Sequence, residues 1–208
     1  MWPFKPTELD ILAKNAKGSI LVVGPMGSYR HGDPTLPLLI KFIGIKGNDI
    51  VAVDYKGAEI GNKEIDTIPT YGDLHATKES LEELHEKTIH YALADALRLP
   101  FPKEIFGTVI DRITHQYIFA NGGTEKQLIK EYTRVLKRNG KIIFFCSTHG
   151  GQGTSFHYET LLKELTDSKN FKINKGKIKI VPFFKKSGTM FICSYPATHY
   201  IVAEKLKD

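Results

Sequence analysis

The hydrophobic positions of the chain fall into short apolar runs that alternate with segments of helical periodicity. Five apolar runs precede the C-terminal region, at residues 19–23, 49–53, 89–94, 107–110 and 139–146. Helical segments are predicted at residues 7–17, from residue 33 onward, at 77–87, at 124–137 and at 156–165. Continuous apolar runs of this length are typical of strands buried on both faces of a parallel sheet. The pattern therefore predicts an α/β fold, a doubly wound and mostly parallel sheet with helices on both faces.

The C-terminal region differs, because its apolar runs have no convincing helix between them. These runs lie at residues 171–181, 189–194 and 199–204. Short connections join antiparallel strands, since a parallel crossover needs a dozen residues or more. We therefore predict an antiparallel strand pair at the C-terminal edge of the sheet. The chain, residues 1–208, is expected to form one domain, with an N-terminal helix in 1–18 and edge strands in 169–208.

The composition is that of a soluble globular domain. Apolar residues make up 41% of the 208 positions and charged residues 25%, as is usual for this class. No apolar run reaches the roughly 18 residues of a membrane span, and the first ten residues lack the pattern of a secretion signal. Cys146 and Cys193 lie in apolar runs without metal-site spacing. We therefore expect a cytoplasmic protein with buried, reduced thiols and no metal site.

The positive charge of the chain is concentrated in one segment. The formal net charge is +6, and residues 169–186, here called the lysine ribbon, hold seven lysines and no acid. Outside the ribbon, the chain has 22 of its 29 basic residues and all 23 of its acidic ones, so the rest of the chain is nearly neutral. Lys175, Lys177 and Lys179 occupy alternate positions, which predicts a strand with one hydrated face. Such a face is typical of an edge strand that resists aggregation, and it would also suit RNA or another anionic partner.

Polar groups stand at the ends of the first four predicted strands. Gly24 ends the first, while Asp54, Asp95 and Asp111 follow the others. Ligands of open α/β sheets lie beyond the carboxyl ends of the strands, so these residues are candidates for one binding site. Each aspartate has a structural alternative, since aspartates also cap helices or form Asx turns. The 30 residues from Gly24 to Asp54 exceed the roughly 20 of a dinucleotide site, and the G-x-G-x-x-G motif is absent.

Five segments of the chain resemble motifs of the class I S-adenosylmethionine-dependent methyltransferases. They are "ILVVGPMG", "IVAVDY", "YALADALRLPFP", "FGTVIDRI" and "LIKEYTRVLKRNGKIIFF", which occur in the family's order between residues 19 and 146. The last is the most specific, because "RVLKRNGK" is similar to the family's "RVLKPGG" junction between a helix and the fifth strand. The resemblance implies a Rossmann-like fold, S-adenosylmethionine as cofactor and S-adenosylhomocysteine as its product.

The resemblance also implies a set of binding residues. Asp54 would bind the ribose hydroxyls, Asp95 would accept a hydrogen bond from the adenine amine, and the glycine turn would approach the methionine end of the cofactor. The implied cofactor contacts are Gly24, Pro25, Met26, Gly27, Asp54, Tyr55, Asp95, Ala96 and Asp111. The first motif departs from the family pattern in two places, because Val22 stands where an acid is usual and Met26 where a glycine is common.

Three residues after the fourth strand are the candidates for catalysis. Asp111, Arg112 and His115 would lie near the sulfonium and the methyl acceptor, and His115 is the first choice for a general base. His31 and His149 are further histidines in loops on the same predicted side. Histidine is the natural candidate for this role, since its ordinary pKa lies near neutrality.

The sequence thus predicts a methyltransferase, more readily for a small-molecule acceptor than for RNA or protein. Methyl transfer depends largely on positioning the acceptor in line with the activated methyl group. The acceptor would be held by the loops at residues 55–73, 112–123 and 147–155. The alternative is a non-catalytic module of the same fold that uses the lysine ribbon to bind RNA or a protein partner. An oxidoreductase on a related fold is disfavoured by the glycine pattern.

Overall fold

The computed structural model describes residues 5–24, 49–54, 89–112, 114–120, 122–146, 154–179, 183–184, 190–191 and 197–206. Within these ranges the chain forms four helices and nine strands. The helices are α1 (Glu8–Asn15), α2 (Thr114–Ala120), α3 (Glu125–Val135) and α4 (Thr154–Asp167). The strands are β1 (Ile20–Val23), β2 (Ile50–Asp54), β3 (Ile89–Leu93), β4 (Phe106–Arg112), β5 (Leu136–Cys146), β6 (Phe171–Lys177), β7 (Phe183–Phe184), β8 (Met190–Phe191) and β9 (His199–Lys205).

Seven of these strands form one mixed sheet in the order β3-β2-β1-β4-β5-β9-β6. The first five are parallel to their neighbours, whereas β9 runs antiparallel between β5 and β6. The predicted fold class and the antiparallel C-terminal edge are therefore confirmed. The short strands β7 and β8 pair separately as an antiparallel ribbon.

The two faces of the sheet carry separate hydrophobic clusters. On one face, Leu128 and Tyr132 of α3 and Leu161 of α4 pack over the parallel strands. On the other face, Ile11 and Leu12 of α1 pack against the central strands. Alternate residues of a strand point to opposite faces, which explains why unbroken apolar runs build this sheet. The described helices include none that is long and apolar enough to cross a membrane.

Several boundaries differ from the sequence prediction. The region 112–123 was expected to be a loop, but it contains α2, whose seven residues are too few to show an apolar helical period. Strand β4 extends over seven residues, beyond the predicted 107–110. Strand β6 ends at Lys177, short of the predicted residue 181, and the described part of the run at 189–194 is β8. The helices predicted from residue 33 and at 77–87 lie outside the described residues.

An Asn-Gly pair lies in the first half of β5, shortly after the end of α3. Thr124 caps the start of α3 by a capping box with Gln127, and the helix leads directly into β5. Asn139 adopts a left-handed conformation with φ of 58°. A side chain at the following Gly140 would approach Leu136 to 2.8 Å. This packing gives a physical reason for the Asn-Gly pair within the "RVLKRNGK" segment, since asparagine and glycine tolerate such crowded turns.

Candidate functional site

The carboxyl ends of the first four parallel strands meet at one edge of the sheet. Val23 lies in register with Val53 on one side and with Asp111 on the other, and the Gly24 N–H donates to the Val53 carbonyl at 2.9 Å. Strands β2 and β3 lie on one side of β1 and β4 lies on the other, so the strand order reverses between β1 and β4. This reversal is the usual place for a ligand crevice in an open α/β sheet.

Gly24 is required by its packing as well as by its backbone conformation. Its φ of 60° is strained for residues with a side chain. A Cβ atom at this position would overlap the side chain of Thr114 at the start of α2. The Thr114 hydroxyl lies 3.0 Å from the Val23 carbonyl oxygen and 3.3 Å from that of Gly24. The end of β1 and the beginning of α2 are thus held together without room for a side chain.

The segment after β3 folds back through an Asx turn at Asp95. Its Oδ1 accepts a hydrogen bond from the Leu97 N–H at 2.8 Å, and its carbonyl accepts one from the Arg98 N–H at 2.9 Å. Ala96 is buried beside this turn. Asp95 therefore forms the Asx turn that was the structural alternative to ligand binding, but only Oδ1 takes part in the turn. Oδ2 is not used by the turn.

Two residues of α3, here called the α3 clamp, hold this same segment. The Arg134 guanidinium donates to the carbonyl oxygens of Leu99 at 2.9 Å and Phe101 at 2.7 Å. Glu131 accepts the Leu99 N–H at 2.7 Å, and its carboxylate also pairs with Arg134 at 2.6 Å. The Arg134 hydrogen bond lowers the pKa of Glu131 and raises the pKa of Arg134. The clamp fixes the backbone three to five residues beyond Ala96.

A buried network stands behind the end of β4. Asp111 is fully buried, and its Oδ1 accepts hydrogen bonds from the His115 backbone N–H at 3.1 Å and from His115 Nδ1 at 2.9 Å. Its Oδ2 accepts the Tyr132 hydroxyl at 2.8 Å. Phe144 packs edge-on against the His115 ring at 5.7 Å. Within the part of the chain that the structure describes, His115 Nε2 has no hydrogen-bond partner.

The network fixes protonation states. Burial lowers the pKa of His115, but the Asp111 carboxylate and the neighbouring Cys146 sulfur outweigh it and raise the pKa to about 10. Burial and the same carboxylate raise the pKa of Tyr132 well above its ordinary value. His115 is therefore an imidazolium at neutral pH, and Tyr132 is a neutral donor.

Comparison with known proteins identifies the domain. Residues 46–144 match a family model described as a methyltransferase domain. The match covers just under half of the chain and indicates a methyltransferase domain in this region. No curated protein matches its sequence. The matched region contains β2 to β4 and most of β5 but begins after the glycine turn.

Solved methyltransferase structures share the fold over most of the chain. A SAM-dependent methyltransferase from Aquifex aeolicus has 15% identity and a TM-score of 0.57, covering 96% of this chain and 90% of its own. A tRNA methyltransferase from Aquifex aeolicus has 12% identity and a TM-score of 0.58, covering 95% and 66%. The geranyl diphosphate C-methyltransferase from Streptomyces coelicolor has 11% identity and a TM-score of 0.56, covering 96% and 78%. At these identities the likeness is one of fold.

The structure describes only some of the site residues predicted from the sequence. Gly24, Asp95, Ala96 and Asp111 lie at or next to the carboxyl ends of adjacent strands. Asp54 is the last residue of β2, and only its backbone is described. The other residues predicted to contact the cofactor or acceptor lie outside the described residues: Pro25, Met26, Gly27, His31, Tyr55 and His149.

The contacts of Arg112 differ from those expected of a residue near the acceptor. Arg112 is 3% exposed, and its Nε pairs with the Glu8 carboxylate of α1 at 3.0 Å. Consecutive strand residues point to opposite faces, so Arg112 lies on the α1 face while Asp111 lies on the α3 face. We interpret Arg112 as a residue that attaches α1 to the sheet. Its catalytic assignment from the sequence stays a prediction.

Three further residues of the site were missed at the level of sequence. Thr114 supports the glycine turn, Tyr132 donates to Asp111, and Arg134 holds the segment after β3. Tyr132 and Arg134 both lie in "LIKEYTRVLKRNGKIIFF", the segment with the clearest family resemblance. In the sequence, Tyr132 simply occupies a position on the apolar face of a predicted helix. Nothing in the helical period indicates that its hydroxyl meets an aspartate 21 residues earlier.

Proposed function

We propose that this methyltransferase holds S-adenosylmethionine along the carboxyl ends of β1, β2 and β3 and passes its methyl group to a small molecule over β4 and β5. The observation that carries the proposal is the convergence of Gly24, Asp54 and the Asp95 turn at the reversal in strand order. Bound cofactor supplies an activated methyl group, so the protein's contribution is chiefly orientation.

The described residues fit such a ligand at two points. Gly24 is buried, and a Cβ atom there would collide with Thr114, so only the backbone of this residue can border the methionine end. At the other end, Asp95 Oδ2 accepts the adenine amine while Oδ1 maintains the turn. Asp54 lies between them and binds the ribose hydroxyls.

Asp111 and His115 act in this proposal as positioning residues. The Asp111 carboxylate already accepts three hydrogen bonds inside the fold, so it orients His115 and Tyr132 and leaves ligand contacts to others. A general base must be unprotonated, whereas the pKa of His115 is raised to about 10. We therefore assign His115 to holding the first turn of α2, and with it Thr114, against the glycine turn.

A small-molecule acceptor is supported by the charge distribution. Apart from the lysine ribbon the chain is nearly neutral, whereas nucleic-acid binding draws on extended positive surfaces. The fold itself does not choose the acceptor, because the compared structures include a tRNA methyltransferase and a geranyl diphosphate methyltransferase.

Calorimetric titration with S-adenosylmethionine and S-adenosylhomocysteine tests the cofactor site. We expect micromolar binding of at least one ligand and its loss in Asp54→Ala. Asp49→Asn is the matched control, since Asp49 is exposed beside the opposite end of β2, and it should bind as the unmodified protein does. Absence of binding to both ligands at millimolar concentration would refute the proposal and leave the non-catalytic alternative.

A further inference from the structure

Part of the lysine ribbon lies at the same edge and on the same face as the buried network behind β4. Strand β9 brings His199 opposite Cys146 of β5 on one side and opposite Lys177 of β6 on the other. Directly opposed residues of antiparallel strands share a face. Cys146, His199 and Lys177 therefore form one row at the carboxyl end of β5, and Cys146 is the neighbour of His115.

The row also contains aromatic side chains. Tyr158 of α4 packs on the His199 ring with 5.0 Å between centroids. Phe119 of α2 lies between the rings of His115, at 6.0 Å, and His157, at 5.2 Å. Beyond the end of β4, the face thus carries a band of rings, of which those of Phe119, His157 and His199 are half-buried, and then the lysines.

In the described pairing of β6 with β9, Lys175 and Lys177 have no acid opposite them, unlike the lysine at the other end of β6. Lys175 lies opposite Ile201, and Lys177 lies opposite His199. Lys172 instead lies opposite Glu204, which also approaches Lys141 at 3.9 Å. Within the described residues, no ion pair involves Lys175, Lys177 or Lys179, and all three are exposed. The register of the described strands therefore places no acid opposite the lysines at the end of β6 that lies beside the proposed acceptor region.

We infer that Lys175, Lys177 and Lys179 bind the anionic group of the acceptor, and that the acceptor is a phosphate-bearing small molecule. This inference rests on the proposed function, whose acceptor region it completes. Strands lie about 4.8 Å apart, so Lys177 is about 10 Å from the Cys146 position and about 14 Å from β4. An acceptor whose phosphate contacts the lysines can therefore extend its other end over the aromatic band toward β4.

Protection of a sheet edge does not account for this asymmetry. Lysines anywhere along an edge strand discourage pairing with another chain, yet in the described register only the lysine at the far end, Lys172, has an acid opposite it. A polynucleotide is disfavoured because Lys175 to Lys179 extends over only about 13 Å at about 3.3 Å per residue, and the rest of the chain is nearly neutral. Three adjacent ammonium groups instead match a compact group with two or three negative charges.

Calorimetric titration with inorganic pyrophosphate at low salt tests the inference. We expect binding that weakens about tenfold or more in the triple variant Lys175→Gln, Lys177→Gln, Lys179→Gln. The matched control is the triple variant Lys103→Gln, Lys130→Gln, Lys137→Gln, which removes equal charge from exposed positions elsewhere. Lys172→Gln is a second control on the same strand. Both controls should bind pyrophosphate nearly as the unmodified protein does.

Three results would overturn the inference. They are no pyrophosphate binding, equal weakening in the two triple variants, or tighter binding of single-stranded oligouridylate than of pyrophosphate with loss in the first triple variant. The last result would assign the surface to RNA. Titration of each variant with S-adenosylhomocysteine separates these results from a failure of the proposed function, because none of the substituted lysines belongs to the cofactor site.

Discussion

The α3 clamp provides the sharpest test of how the fold prepares the cofactor site. Arg134→Ala removes two hydrogen bonds to backbone carbonyls and the ion pair with Glu131. The Arg134 side chain is 38% exposed, so solvent screens the pair, and a net value of about 1 kcal/mol per hydrogen bond with less than 1 kcal/mol for the pair is appropriate. We expect the free energy of unfolding to fall by about 2 kcal/mol.

The same change should weaken cofactor binding, although Arg134 does not touch the proposed ligand. The released segment near Asp95 and Ala96 must then be ordered on binding, and fixing the backbone of one residue costs about 1–2 kcal/mol. The dissociation constant for S-adenosylhomocysteine should therefore rise about tenfold, since about 1.4 kcal/mol corresponds to a factor of ten. Arg134→Lys keeps the charge but not the two-pronged geometry. Its dissociation constant should therefore lie between those of the unmodified protein and of Arg134→Ala.

The assay combines urea unfolding, calorimetric titration with S-adenosylhomocysteine, and amide hydrogen exchange at Leu99. Exchange at Leu99 should accelerate in Arg134→Ala, because its N–H is bonded to Glu131, which Arg134 orients. Arg138→Ala, at an exposed position of β5, is the control. It should change neither the stability, nor the affinity for S-adenosylhomocysteine, nor the exchange rate at Leu99. If Arg134→Ala lowers stability but binds S-adenosylhomocysteine unchanged, the clamp is structural only and the positioning argument is refuted.

Two further outcomes follow from the geometry. Gly24→Ala should abolish cofactor binding, and it should lower the free energy of unfolding more than Gly122→Ala does. Both glycines have positive φ, but of the two only Gly24 is packed against a side chain. Equal losses of stability in the two variants, measured by urea unfolding, would contradict the packing argument. The raised pKa of His115 stabilises the fold fully below its ordinary pKa of about 6.5 and is lost as pH rises to about 10. His115→Gln should flatten this part of the pH–stability curve, and in the unmodified protein the His115 ring signals in NMR spectra should show no titration between pH 6 and 8.

The fold was largely readable from the sequence because most of the parallel strands contain a continuous apolar run. The runs at β1, β2 and β5 are buried on both faces, so their composition is dictated by burial alone. Helix α2 escaped detection because its seven residues, "THQYIFA", begin directly after β4 and complete fewer than two full apolar repeats. Strand β6 was overextended because alternation of lysine and isoleucine continues past the last paired residue.

The order of the elements, the charge of the lysine ribbon and the polar or glycine residues at successive strand ends can be read from the sequence, since these properties depend on neighbours along the chain. The use of these residues follows from how the chain folds. The tertiary structure placed Asp111 in a buried network with Tyr132 of α3, divided Asp111 and Arg112 between opposite faces, and set Lys177 beside His199 and Cys146. These outcomes depend on register and on contacts between distant segments, and hydrophobic periodicity carries no information about which distant side chains will meet.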